Sequence, residues 1–119
     1  MKKTLIIGAT NNKNRYAYKA AEKLTSAGHL IVPFGIKKGT IFGKEIINEW
    51  EDFQEVDTIT LYVGPKRQNA YFEKILSIRP KRVIFNPGTE NPEFQIILKK
   101  ENIYFEEACT LVLLSLNKY

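Results

Sequence analysis

Cysteine and histidine are almost missing from this 119-residue chain, which has one of each, Cys109 and His29. A lone cysteine excludes an internal disulfide, and the two residues together fall short of a zinc ligand set. Long apolar runs are missing too. None approaches the roughly 18 residues of a membrane span. Only about four apolar residues separate Lys2 and Lys3 from the first polar turn, too few for a secretory signal. We therefore expect no membrane association and a cytoplasmic location. Repeats, linkers and low-complexity segments are also absent. A hydrophobic content of 44% over this length suits a single domain, residues 1–119, with one core.

The charge balance is positive, with 18 Lys and Arg against 13 Asp and Glu, a net charge of +5 and a pI near 9.3. Such a surface suits nucleic acid, a membrane or an anionic small molecule. The lysines are spread along the chain and form no block that reads as a nucleic-acid arm, so a nucleic-acid partner is disfavoured. Two readings stay open at this point: a merely solvated surface, or a local anion site.

The stretch Thr4 to Tyr18 organises the rest. The apolar run Leu5, Ile6, Ile7 ends in Gly8, a small polar turn follows (Ala9, Thr10, Asn11, Asn12), and a helical pattern begins. A buried strand that runs through a glycine turn into a helix is a phosphate site for two reasons. Glycine lets the backbone come close to a ligand. The first free N–H groups of the helix, with its dipole, favour negative charge.

Further along, apolar runs alternate with amphipathic stretches. Residues 4–8, 30–34, 58–63, 82–85 and 103–105 read as strands one to five. Helical spacing predicts helices over 15–27, 67–78, about 92–100 and 108–116. Gly28 is placed just past the end of the first helix, and Asn91 caps the third, with Pro92 in its first turn. Ala70, Tyr71, Lys74, Ile75 and Ile78 mark the inner stripe of the second helix, and Ile46-Ile47 is a candidate short extra strand. Strict alternation argues for an α/β fold: a doubly wound, Rossmann-like parallel sheet of five strands with helices on both faces. The expected order is 3-2-1-4-5, with the ligand beyond the carboxyl ends of the strands beside strand one.

Basic and small residues stand at those ends. Strand one is followed by Gly8, Ala9, Thr10, Asn11, Asn12, Lys13, Arg15 and Tyr16, and strand two by Phe34, Gly35, Ile36, Lys37 and Lys38. Strand three gives Val63, Gly64, Pro65, Lys66 and Arg67, strand four gives Asn86, Pro87, Gly88 and Thr89, and strand five gives Glu106, Glu107 and Cys109. The positive charge thus falls where a ligand would sit. The dinucleotide fingerprint G-x-G-x-x-G fails, because Gly8 is followed by Thr10 and Lys13 at the other two positions. No carboxylate ends strand two to accept from a free ribose, which disfavours NAD. Lys37 and Lys38 suit a phosphorylated ribose, a feature of both NADP and coenzyme A. A rim of Lys13, Arg15, Lys37 and Lys38 complements the charges of coenzyme A.

These residues resemble the small, free-standing CoA-binding domain proteins, whose fold is also the N-terminal domain of the succinyl-CoA synthetase α subunit. The likeness spans nearly the whole chain. It is carried by Ile7-Gly8-Ala9-Thr10, Arg15-Tyr16 with Tyr18, Gly28-His29, Val32-Pro33, Asp57-Thr58, Thr60-Leu61-Tyr62-Val63 and Pro65-Lys66-Arg67. Its most specific parts are the run from Phe85-Asn86-Pro87-Gly88 to Pro92 and the run Glu107-Ala108-Cys109-Thr110-Leu111-Val112. The resemblance implies a diphosphate on the Gly8–Asn12 turn and an adenosine 3′-phosphate near Phe34–Lys38. The pantetheine arm would pass Val63, Gly64 and Pro65 toward Asn86, Pro87 and Gly88. The chain departs from the family at Phe34-Gly35, where an Asn-Pro pair is common. The synthetase's phosphohistidine lies outside this domain, so the resemblance implies binding without ligase chemistry.

Two readings of Cys109 stand: a buried, inert thiol, or a thiol close to the sulfur end of pantetheine, able to form a mixed disulfide. No nucleophile–base–orienter set can be assembled from one His and one Cys. The sequence thus points to a module that binds coenzyme A or an acyl-CoA, a small-molecule nucleotide ligand, without catalysis. A small NADP-dependent reductase and a basic interaction protein are the alternatives, and a homodimer is left open.

Overall fold

The computed structural model describes all of residues 1–119. Seven strands, β1 (Thr4–Ile7), β2 (Ile31–Phe34), β3 (Thr40–Ile41), β4 (Lys44–Glu45), β5 (Thr58–Leu61), β6 (Arg82–Phe85) and β7 (Tyr104–Glu107), form two sheets. The helices are α1 (Tyr16–Ser26), α2 (Pro65–Gln68), α3 (Phe72–Ile78), α4 (Pro92–Lys100) and α5 (Thr110–Ser115). Short, wholly buried strands such as Leu5-Ile6-Ile7 and Val83-Ile84-Phe85 need cover on both faces, and the helices supply it. On one face α3 and α4 contribute Ile75, Phe94 and Leu98 to a cluster with Leu5, Ile59, Val83 and Phe85. On the other, Ala21 and Leu24 of α1 pack on Ile6 and Ile31, with Leu114 of α5 alongside. The expected α/β class, with a five-stranded parallel sheet covered on both faces, is the class observed.

The large sheet has the order β2-β1-β5-β6-β7. Counted among themselves, its strands run 2-1-3-4-5, so the third pairs with the first, Thr4 opposite Thr58, and not with the second as in the expected 3-2-1-4-5. The outer side of β2 is already taken. The β3–β4 hairpin folds back on it, and Ile47 bridges Phe34, its N–H donating to the Pro33 carbonyl at 2.9 Å and its carbonyl accepting from Gly35 at 3.0 Å. Pro33 itself offers no N–H on that side, as an edge strand permits. The order therefore reverses between β1 and β5, and a ligand crevice is placed at their carboxyl ends.

Local signals in the sequence are met in most places. Asn91 caps α4, its side chain accepting from the Phe94 N–H at 3.1 Å. The stretch expected as one helix over 67–78 is instead α2, a 3₁₀ turn at Asn69–Tyr71, and α3. The tighter turn shifts the phase, so Gln68 and Ile75 are buried while Ala70 and Lys74 face outward.

Candidate functional site

Two glycines bring three loops together at the carboxyl end of the sheet. Gly8 has φ +97°, and a Cβ on it would stand 2.9 Å from the Tyr62 carbonyl oxygen. Gly35 lies against Ala9, whose carbonyl oxygen would be 2.5 Å from a Cβ. The close approach lets the Phe34 carbonyl accept from both the Gly8 and the Ala9 N–H, each at 2.9 Å. The two first amides of the turn are thus spent inside the protein. The turn beyond is braced by its own side chains: Thr10 Oγ1 accepts from the Asn12 N–H at 3.1 Å, and Asn12 Oδ1 accepts from the Asn14 N–H at 3.0 Å. At the start of α1, the Tyr16, Ala17 and Tyr18 N–H groups find no backbone acceptor. Arg15 occupies the N-cap without capping, and no acidic residue stands in the first turn. The free donors and the helix dipole therefore face the cleft uncompensated.

The cleft has a volume of about 300 Å³ and is lined from three loops and α1 by Gly8, Ala9, Thr10, Arg15, Tyr16, Ala17, Ile36, Lys37, Tyr62, Val63 and Arg67. No carboxylate is among them. The three cations, Arg15, Lys37 and Arg67, form no salt bridge; the chain's two ion pairs, Arg79–Glu101 and Arg82–Glu106, lie elsewhere. Seven residues expected from the sequence are brought together here: Gly8, Ala9, Thr10, Arg15, Tyr16, Lys37 and Val63. Of the other four lining residues, Ile36 and Arg67 are among the strand-end residues named from the sequence, whereas Ala17 and Tyr62 were not expected at the ligand. Ile36 and Tyr16 are large apolar side chains left about two-thirds exposed at the mouth, 69% and 68%.

Other expected residues are placed differently. Lys38 lines a separate, wider hollow with Glu45, Glu49, Trp50 and Glu51. Lys13 is exposed and Asn11 packs against Gly39, both outside the cleft lining. The Phe34 ring is buried among Trp50, Phe53 and Tyr71. Gly64 and Pro65 open α2. The Asn86 amide is fully committed within the fold, donating to Thr60 Oγ1 at 2.6 Å and the Leu61 carbonyl at 2.8 Å and accepting from the Thr110 N–H at 2.9 Å. It ties β5, β6 and α5 together behind the cleft, while Pro87 and Gly88 remain exposed beside it. Cys109, half-buried, is the N-cap residue of α5 and does not line the cleft. His29 lies at the opposite, amino end of the sheet, where its Nδ1 accepts from the Lys2 N–H at 2.9 Å.

The wall between cleft and core is Tyr62. Its ring lines the cleft, but its hydroxyl is buried with no hydrogen-bond partner. Burial pushes the phenol up to about 12; the neighbouring Thr110 and Thr60 hydroxyls pull it back in part, and Cys109 adds to the rise.

This is a Rossmann-like α/β domain with a cationic crevice at the point where its strand order reverses. Residues 2–115 match the CoA binding domain family, and the chain belongs to that family. It is 55% identical to an uncharacterized protein of known crystal structure, with a TM-score of 0.98, covering 100% of this chain and 98% of that one. A Thermus thermophilus protein shares the fold at 22% identity and TM-score 0.86, covering 99% of this chain and 90% of its own. A hypothetical protein from Pyrococcus horikoshii OT3 does so at 22% identity and 0.85, covering 93% and 80%. No curated protein matches the chain. No helix is long and apolar enough to cross a membrane.

Proposed function

We propose that the crevice binds coenzyme A or an acyl-CoA and that the protein acts as a binding module for it. The observation that carries this reading is the union of three unpaired cations and unused helix amides around one cleft that no carboxylate lines. Like charges gathered this way repel one another until an anion arrives. Family membership supports coenzyme A as that anion. The phosphates rest on the start of α1, from Thr10 through Arg15 to the Tyr16–Tyr18 amides, and Lys37 reaches them from the loop after β2. Tyr16 and Ile36 at the mouth offer a flat apolar seat for the adenine. The arm passes Val63 toward the exposed Pro87 and Gly88.

The reading is one of binding without catalysis, supported by the placement of the reactive side chains. His29 and Cys109 stand at opposite ends of the sheet, so neither can serve the other. Calorimetric titration with coenzyme A, acetyl-CoA and NADPH tests it. Micromolar affinity for the first two with weak or absent NADPH binding is expected. NADPH binding without CoA binding overturns the proposal in favour of a reductase. Failure of all three, with RNA binding that falls steeply with salt, overturns it in favour of a nucleic-acid partner.

A further inference from the structure

The root of Arg67 is held through its buried neighbour in the chain. Arg67 lies on α2, four residues long, whose last residue, Gln68, is wholly buried. The Gln68 amide donates to the Val63 carbonyl at 3.0 Å and the Thr89 carbonyl at 2.7 Å, and its oxygen accepts from Asn91 Nδ2 at 3.0 Å. Every polar group of that side chain but one lone pair is used, and the bonds join the loops after β5 and β6 to the cap of α4. The Arg67 N–H is itself bonded to the Gly64 carbonyl at 3.0 Å. The guanidinium, in contrast, is exposed and has no ionic partner, yet it lines the cleft. A long cation with a pinned base and a free tip is already positioned for an anion and loses little backbone freedom on meeting it.

We propose that Arg67 is the third member of a phosphate clamp. It closes on the ligand's phosphates from the β5 side, while Arg15 and the α1 amides act from the β1 side and Lys37 from the β2 side. The inference rests on the coenzyme A reading above and adds to it a selectivity. Three cations from three separate elements, converging on one small cleft, suit a ligand with several phosphates and disfavour one with a single phosphate. Gln68 is a positioning residue for Arg67.

The test is titration of wild-type protein, Arg67→Gln and Arg67→Lys with coenzyme A and with 3′-phospho-ADP, which has the phosphates but no pantetheine arm. In the Gln variant both ligands are expected to weaken by a similar factor, about tenfold, and the salt dependence of binding becomes shallower. The Lys variant recovers most of the loss, and the melting temperature of the free protein is unchanged in both. Unchanged affinity for both ligands in the Gln variant overturns the clamp while leaving coenzyme A binding intact. A loss confined to coenzyme A also overturns it, because it places Arg67 on the arm. If the wild type binds neither ligand, the reading of the cleft fails and the clamp falls with it.

Discussion

The two ends of the sheet carry similar side chains in different states. At the amino end four long cations, Lys2, Lys3, Arg79 and Arg82, have an internal use. Lys2 Nζ donates to the Tyr119 backbone oxygen at 2.7 Å, Lys3 Nζ donates to the Gln54 carbonyl at 2.6 Å, and Arg79 pairs with Glu101. Arg82 donates to Thr58 Oγ1 at 3.2 Å, pairs with Glu106 and rests on the Tyr119 ring, 4.5 Å from its centroid. At the carboxyl end Arg15, Lys37 and Arg67 have no such partners. Positive charge alone therefore does not mark a site. What marks it is charge that the chain has left unanswered beside backbone donors it has also left unanswered.

The comparison can be broken most severely at its backbone. Gly8→Val puts a β-branched side chain at φ +97° and within 3 Å of Tyr62 backbone atoms. Strain of this kind costs on the order of 1–3 kcal/mol before the overlap is counted. We expect a fall of at least about 3 kcal/mol in urea denaturation, so this substitution tests the fold more than the ligand. Gln68→Leu keeps the volume but strands the Val63 and Thr89 carbonyls and the Asn91 amide. A loss of about 2–4 kcal/mol is expected in the same measurement. Should it prove neutral, α2 is not held as described.

Charge removal sharpens the contrast directly. Arg15→Gln and Lys37→Gln should each weaken coenzyme A binding about tenfold while leaving stability within about 0.5 kcal/mol. Lys3→Gln, at the other end, should leave affinity unchanged. Equal effects from the two ends would erase the distinction. The smallest effect concerns His29. Burial lowers its pKa, aided by the N-terminal amine, Lys2 and Arg82 and opposed by Asp57. The unfolded chain therefore binds a proton first. The neutral ring's contribution is present above its ordinary pKa near 6.5 and is lost as pH falls through the lower folded value. His29→Gln should flatten the acid side of the stability profile, measured as melting temperature between pH 7 and pH 5.

Much of the architecture was legible because it is local. Alternating apolar runs gave the α/β sheet, and Asn91-Pro92 gave the start of α4. Gly8 does line the crevice, although its own amide is tied to Phe34. The strand order was not legible, because it depends on which edge of β2 the β3–β4 hairpin covers. Neighbours in sequence also parted ways: Lys37 lines the cleft and Lys38 the hollow beside Trp50, because the chain bends over Gly35–Lys37. Asn86 shows a further limit. Its loop reads as a ligand loop, but whether an amide is free or spent inside depends on Thr60, Leu61 and Thr110, which meet it only after folding.

The hairpin that settles strand order also has a bearing on assembly. Ile47 pairs with Pro33 and Gly35 on the outer side of β2, beside the β3–β4 hairpin, whereas β7, the other edge of the main sheet, has no such bridge. The bridge leaves less of β2 than of β7 open to strand addition, and an edge blunted in this way guards against open-ended growth from sheet to sheet.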